Sequence, residues 1–356
     1  MTGNETGIRE SWHGKPYYSL DAYCKNTYGE KLYKTSLDAG LSCPNRDGTL
    51  STGGCIFCSA GGSGDFAARI SCSRDFAAGI SCNTPSGPET DKDAALKASF
   101  HHAYAQSLSL LQKKETGHKF IAYFQAYTNT YGPVSYLEKI FSLALEEPTV
   151  AGISIATRPD CISPEIMELL IRLKSSYAPK FIWIELGLQT IHEKTAAFIR
   201  RAYTLSCFTE CLNRLHDANI PVIVHVILGL PGETKSNMLE TIEYLNTTPV
   251  SGIKLQLLHI LKGTDLGQLY LGAPDQYCKL NSLEEYLDIL IPCITHLRPD
   301  IVIHRLTGDA PRALLLAPLF SRNKRLVLNT LHKKMKEQNA FQGQYFEERK
   351  KPCTIL

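Results

Sequence analysis

The chain has no uninterrupted apolar stretch close to the roughly 18 residues that a membrane-spanning helix needs. Its opening segment, MTGNETGIRESWHGKP, also lacks the apolar core of a secretory leader. A membrane span is therefore not expected, and the expected location is the cytoplasm. Charge of one sign is scarce as well: 38 Lys and Arg stand against 35 Asp and Glu, and a net charge of +3 does not by itself argue for nucleic acid. The local excess lies in RNKRLVLNTLHKKMKEQ from Arg322, whose simplest reading is a solvated helix face. Cysteines number 12 in 356 residues, too sparse for a disulfide framework of this length. In a reducing compartment, clustered cysteines point to metal or redox chemistry. At 44% hydrophobic and 21% charged residues, the chain has the composition of a protein that buries a sizeable core.

Short, nearly continuous apolar runs recur with helical patterns between them: KFIAYFQ from Lys119, VAGISIATR from Val150, KFIWIELGLQ from Lys180, VIVHVILGL from Val222 and GIKLQLLHI from Gly252. Such runs are what strands buried on both faces look like. Between two of them, SPEIMELLIRLKSS carries an N-cap serine at Ser163, a proline at the first helical position and apolar residues at Ile166, Leu169, Leu170 and Leu173. With YKTSLDAG from Tyr33 the strands number six, and the expected fold class is α/β with a parallel βα array. The expected division is a lead segment at 1–31, a core at 32–265, a C-terminal α/β domain at 266–340 and a polar, partly basic tail at 341–356. Within the core, 59–98 reads as a long loop or insertion, since DFAARISCS from Asp65 recurs as DFAAGISCN from Asp75. Chemistry in such an array gathers after the strands, where CPNRDG, QAYTNT, ATRPDC, GLQT and GLPGET lie. GLPGET lacks the Lys-Ser/Thr ending of a phosphate loop.

Cys43, Cys55 and Cys58 form a C-x11-C-x2-C set in a glycine-rich loop after the first strand. Thiolates without His or acid neighbours suit zinc or an iron–sulfur cluster. Zinc would need a fourth ligand, for which Cys24, Cys72 and Cys82 are available. A 4Fe-4S cluster held by three cysteines leaves one iron open. A non-catalytic, zinc-stabilised RNA-binding protein with its basic helix on phosphate is thus one reading, and an open-iron enzyme is the other.

The stretches GLSCPNRDG, GGCIFCSAGGSGDFA, YFQAYTNTYGPV, TRPDCISPE, ELGLQT, HVILGLPGET and HRLTGDAPR, in this order after successive strands, resemble those of radical S-adenosylmethionine (radical SAM) enzymes of the YhcC type, in the group of the Elongator catalytic subunit, MiaB and NifB. The resemblance covers nearly the whole chain. It implies a partial (βα)6 TIM-type barrel, with Cys43, Cys55 and Cys58 on one 4Fe-4S cluster and S-adenosylmethionine on the open iron. It further implies reductive cleavage to methionine and a 5′-deoxyadenosyl radical, fed by a donor such as a flavodoxin or ferredoxin. By the same resemblance Phe57 packs beside the cofactor, and Gln125, Ala126, Tyr127 and Thr128 meet the methionine amine. Gln189 and Arg201 make polar contacts, with Arg201 on the methionine carboxylate. His225 and Ala156 stand where some relatives carry acidic ribose-binding groups, and the GLPGET turn touches adenine. Arg158, Asp160 and Cys161 are the candidate catalytic residues, although an inert buried thiol is the plain reading of Cys161. Cys207 and Cys211 read as packing, and Cys72 and Cys82 as dispensable for the cluster. Relatives in this group modify RNA bases, so the resemblance implies an RNA base as one substrate class, beside a small molecule or a protein.

Overall fold

A computed structural model of the chain describes residues 10–62, 64–71, 89–111 and 117–346. Cys72 at the end of the first copy of the internal repeat, the whole second copy with Cys82, and the chain beyond 346 lie outside them.

Among the described residues ten strands are formed: β1 Tyr33–Asp38, β2 Ala68–Arg69, β3 Phe120–Phe124, β4 Val150–Thr157, β5 Phe181–Gln189, β6 Val222–Leu228, β7 Gly252–Leu257, β8 Ile260–Leu261, β9 Val302–Arg305 and β10 Leu315–Ala317. Eight of them make one sheet in the order β2-β1-β3-β4-β5-β6-β7-β9, every pair parallel. The six strands expected from the apolar runs are its centre, in chain order. β2 and β9 stand at opposite edges, so the sheet curves without closing, as an open partial barrel. β8 and β10 pair as a separate antiparallel ribbon.

Burial explains the runs. Every residue of β3 is buried, as are seven of the nine in β5. Helices close the outer face with their apolar sides: Pro164–Ser176, started by the Ser163 hydroxyl accepting from the Ile166 amide, buries Leu169, Leu170 and Leu173. Reciprocal caps start two further helices, Thr234 with Asn237 and Ser282 with Glu285. The segment after 265 adds Leu283–His296 to the outer layer and β9 to the sheet. The outer edge of β9 is covered by the chain's early part, where the Ile303 amide donates to the Tyr18 carbonyl at 2.8 Å. A smaller apolar cluster of Ile56, Ile199, Ile227, Leu258, Leu266 and Ala317 fastens the cysteine loop to the ribbon. No described helix is long and apolar enough to cross a membrane.

Candidate active site

The carboxyl ends of the strands surround a cavity of about 780 Å³. Cys43, Cys55 and Cys58 lie on its wall together with Phe57, Gln125, Tyr127, Thr128, Gln189, Arg201 and His225. Residues from four strand ends and one loop thus meet around one space. Ala126 is buried behind the wall and packs so closely on Gly64 that a Cβ there would come within 2.5 Å of the Ala126 Cβ.

The cysteine loop is held mainly through its backbone. The Cys43 carbonyl accepts from the Arg46 amide at 2.8 Å, and the Cys58 amide donates to the Cys55 carbonyl at 3.0 Å. Arg46 reaches back to donate to the carbonyls of Cys58 and Ser59 at 3.0 and 2.6 Å. Gly54 makes room for this: its φ is +69°, and a Cβ there would meet the Arg46 side chain at 2.8 Å. The Asn45 amide donates to the Arg200 carbonyl at 2.7 Å and points at the Cys55 sulfur at 3.6 Å. A hydrogen bond from Cys58, with Asn45 and the Arg158 and Arg46 charges, draws the Cys55 thiol down to about 7. Phe57 packs against the smaller apolar cluster while facing the cavity.

Two non-glycine residues on the wall adopt left-handed backbone, Tyr127 at φ +57° and Gln189 at φ +67°. Both are braced. Tyr127 donates its hydroxyl to the Ala60 carbonyl and lies under the Arg46 guanidinium, 5.7 Å from the ring centre. Asn129, fully buried, donates to the carbonyls of Phe124, Ala126 and Ala156 at 3.0–3.1 Å and so ties the turn after β3 to the end of β4.

Gln189 is braced by Arg201, which corrects the role expected for that arginine. Its guanidinium is buried and donates to the carbonyls of Leu188, Thr190 and Tyr203 at 3.1, 2.6 and 2.9 Å, and to Glu193 at 3.2 Å. These contacts leave no free fork for a methionine carboxylate. Arg201 instead clamps the two carbonyls that flank Gln189.

The candidates after β4 separate in space. Arg158 reaches the cavity wall, stacks over the Tyr203 ring at 4.9 Å and is held by Asp160 through bonds of 2.9 and 2.6 Å. Asp160 and Cys161 are absent from the wall, and burial followed by the Asp160 charge pushes the Cys161 thiol up to about 12. The GLPGET turn also lies off this cavity; Glu233 there is buried and accepts from Thr190 at 2.5 Å. Cys211 is buried in the main core, in keeping with packing.

The cavity floor holds a group that the motif reading missed. Glu185, fully buried on β5, accepts from Lys34 of β1 and Lys254 of β7, from Ser154 at 2.7 Å and from His225 at 2.8 Å. Lys254 also donates to the Tyr123 hydroxyl at 3.0 Å, and both ammonium groups face that ring at about 4.5 Å. Burial would raise Glu185, but Lys254, Lys34 and His225 hold it well below the usual carboxylate range. His225 is therefore a partner of Glu185, and burial followed by the Lys254 charge holds it at about 4, neutral at pH 7. The available signal was a lone charged residue inside each of the apolar runs of β5 and β7, Glu185 and Lys254, since buried charges must be paired; Lys34, near the start of the half-buried β1, carried no such signal.

The basic run is divided by the fold. Arg322 and Lys324 reach the mouth of the cavity beside Arg312. Lys333 pairs with Glu337 at 3.8 Å, and Lys334 with Glu284 and Asp288.

Comparison with known proteins places the chain in a family. The profile of the Radical SAM superfamily matches residues 51–245, and that of the Radical_SAM C-terminal domain matches 250–337. YtqA of Bacillus subtilis is 38% identical over 333 residues, covering 94% of each chain. YhcC of Escherichia coli is 32% identical over 299 residues, covering 83% of this chain and 85% of that one. In fold, the chain is similar to the archaeal Methanocaldococcus infernus Elp3, with a TM-score of 0.55 at 14% identity over 69% of this chain and 60% of that one. These matches set aside the non-catalytic zinc reading. The chain belongs to the radical SAM superfamily, of the YhcC type, and is an enzyme of that class with a 4Fe-4S cluster and S-adenosylmethionine as its cofactors.

Proposed function

We propose that Cys43, Cys55 and Cys58 hold the one cluster and that S-adenosylmethionine lies beside them in the upper part of the cavity. The observation that carries this is the placing of all three thiols on one cavity wall with Phe57, Gln125, Tyr127, Thr128 and Gln189. Among the described residues, no three Cys, His, Asp or Glu side chains gather tightly enough for a single metal ion, whereas a cubane accepts thiolates set farther apart. Bound there, the cluster supplies one electron for cleavage of S-adenosylmethionine to methionine and a 5′-deoxyadenosyl radical.

The chain's own residues do the positioning. Arg46 and Asn45 fix the loop that carries the thiols. Phe57 and the apolar cluster behind it keep water from that side. Arg201 sets the Gln189 turn, Asn129 sets the turn of Gln125 to Thr128, and Arg158 on Tyr203 closes the wall between them. The electron comes from a small redox protein such as a flavodoxin or ferredoxin, in a reducing compartment such as the cytoplasm.

The test is anaerobic incubation with S-adenosylmethionine and dithionite, reading 5′-deoxyadenosine, iron and sulfide. Cys43→Ala, Cys55→Ala and Cys58→Ala each lose the cluster and the product. A Cys72→Ser, Cys82→Ser double variant keeps both. Full iron in any of the three alanine variants overturns the assignment.

The substrate is an RNA base in this reading, supported by Arg312, Arg322 and Lys324 at the cavity mouth, where they suit a phosphate backbone. Binding of bulk transfer RNA then weakens with salt, with a log–log slope of roughly −0.7 to −0.9 per phosphate contact. Changing the three cations to Gln flattens that slope. Equal, salt-independent binding by parent and variant points to a small-molecule substrate instead.

A further inference from the structure

The cavity carries more positive charge than its own acids answer. Three acids lie on its wall, and each is engaged: Glu185 by Lys34, Lys254 and His225, Asp309 by Lys324 at 2.9 Å, and Asp65 by the Ser59 hydroxyl at 3.0 Å. Arg305, the last residue of β9, lines the same cavity in register with Lys254. Among the described residues its guanidinium has no ion-pair or hydrogen-bond partner, although its charge acts on Lys34, Lys254, Tyr123, His225, His259 and the carboxylate of Asp309, which is itself bonded to Lys324. Glu185 is bonded to Lys34 and Lys254, and Asp309 to Lys324, so neither carboxylate is bonded to Arg305. His259 lies on this wall too, and its Nε2 atom is buried without a hydrogen-bond partner. A half-buried guanidinium without a bonded partner, and a buried ring nitrogen without one, leave donors on this wall that a ligand can complete.

We propose that Arg305 anchors an oxyanion of the molecule on which the enzyme acts, a carboxylate or a phosphate group, and that His259 donates a hydrogen bond to it. The planar fork of arginine matches either group through two parallel bonds, which fixes orientation as well as position. Glu185 keeps the two lysines in place and leaves Arg305 as the cation available to the ligand. The inference rests on the reading that S-adenosylmethionine occupies the cysteine side, which leaves the β7–β9 side for the substrate.

The test uses reconstituted holoenzyme titrated with inorganic phosphate and, separately, with acetate, at ionic strength held constant with chloride. The readout is the rise in melting temperature, which reports binding to the folded state. One of the two anions saturates the parent, and which one does so separates phosphate from carboxylate chemistry. Arg305→Gln weakens that anion at least tenfold, Arg305→Lys recovers part of the affinity, and His259→Gln weakens it less. Arg325→Gln, exposed on the helix Lys324–Glu337, is the control and binds like the parent. Equal affinity in Arg305→Gln and parent, or no saturable binding of either anion, overturns the proposal. So does an equal loss of S-adenosylmethionine affinity in Arg305→Gln, which would make the cofactor's own carboxylate the partner. Failure of the cofactor reading shows separately, as missing iron in the parent. Should Arg305→Gln not fold, the Arg305→Lys and His259→Gln titrations decide.

Discussion

The rim and the floor of the cavity are built on different principles. At the rim, side chains such as Arg46, Asn45, Asn129 and Arg201 bond mainly to backbone carbonyls, so each fixes a loop without depending on another side chain's charge. On the floor, Lys34, Glu185, Lys254, Tyr123 and His225 bond to one another across five strands. A rim residue therefore acts locally, through the shape of one turn. A floor residue acts on the whole set, because removing one charge leaves others buried without an answer.

The sharpest way to break this contrast is Glu185→Gln, which leaves two buried ammonium groups facing a neutral amide. It lowers stability by about 3–5 kcal/mol, read as the denaturant midpoint. Replacing Glu185, Lys34 and Lys254 together with apolar residues brings the midpoint back toward the parent. A cost below about 1 kcal/mol for Glu185→Gln would show that the floor is not a cooperative unit. Asn129→Ala removes a rim donor from three carbonyls and costs about 2 kcal/mol, with the loss in cofactor affinity confined to the turn it holds. If it costs more than Glu185→Gln, the ranking of rim and floor is reversed.

An effect no larger than that of Asn129→Ala depends on pH. His225 titrates near 4 in the folded protein and near 6.5 when unfolded, so between these values the unfolded chain binds the extra proton. Stability from this residue is complete above about pH 6.5 and falls as the pH drops toward 4, by about 2 kcal/mol at pH 5. His259, also held at about 4 by burial, adds a slope of the same sign. His225→Gln flattens the curve in part and leaves the share due to His259 and to His304, which burial also holds well below the usual imidazole range. An unchanged curve would separate His225 from the floor group.

The same contrast explains what could be read before the fold was known. The thiols of the rim stand within one short loop, so spacing alone brought Cys43, Cys55 and Cys58 together. The six central strands were legible because burial on both faces demands nearly continuous apolar runs. Glu185 and Lys254 interrupt such runs singly, Lys34 stands near the start of the half-buried β1, and only the register of separate strands shows that they answer one another. Arg201 was legible as an arginine near the site, but its donors are counted only once the carbonyls of Leu188 and Thr190 are in place. β9 escaped as a member of the sheet because four residues, two of them half-exposed, carry too little pattern to be assigned to it.

The position of β9 also sets an order of events during synthesis. The ribosome delivers the cysteine loop early, and the strand that bears Arg305 only after β7 and the helix Leu283–His296 have emerged. Until then the growing sheet ends at β7, and the cavity lacks its β9 side wall. The thiols are thus presented while the space around them is still open on that side, and the last strand, latched by the Tyr18 carbonyl, shuts the chamber after them.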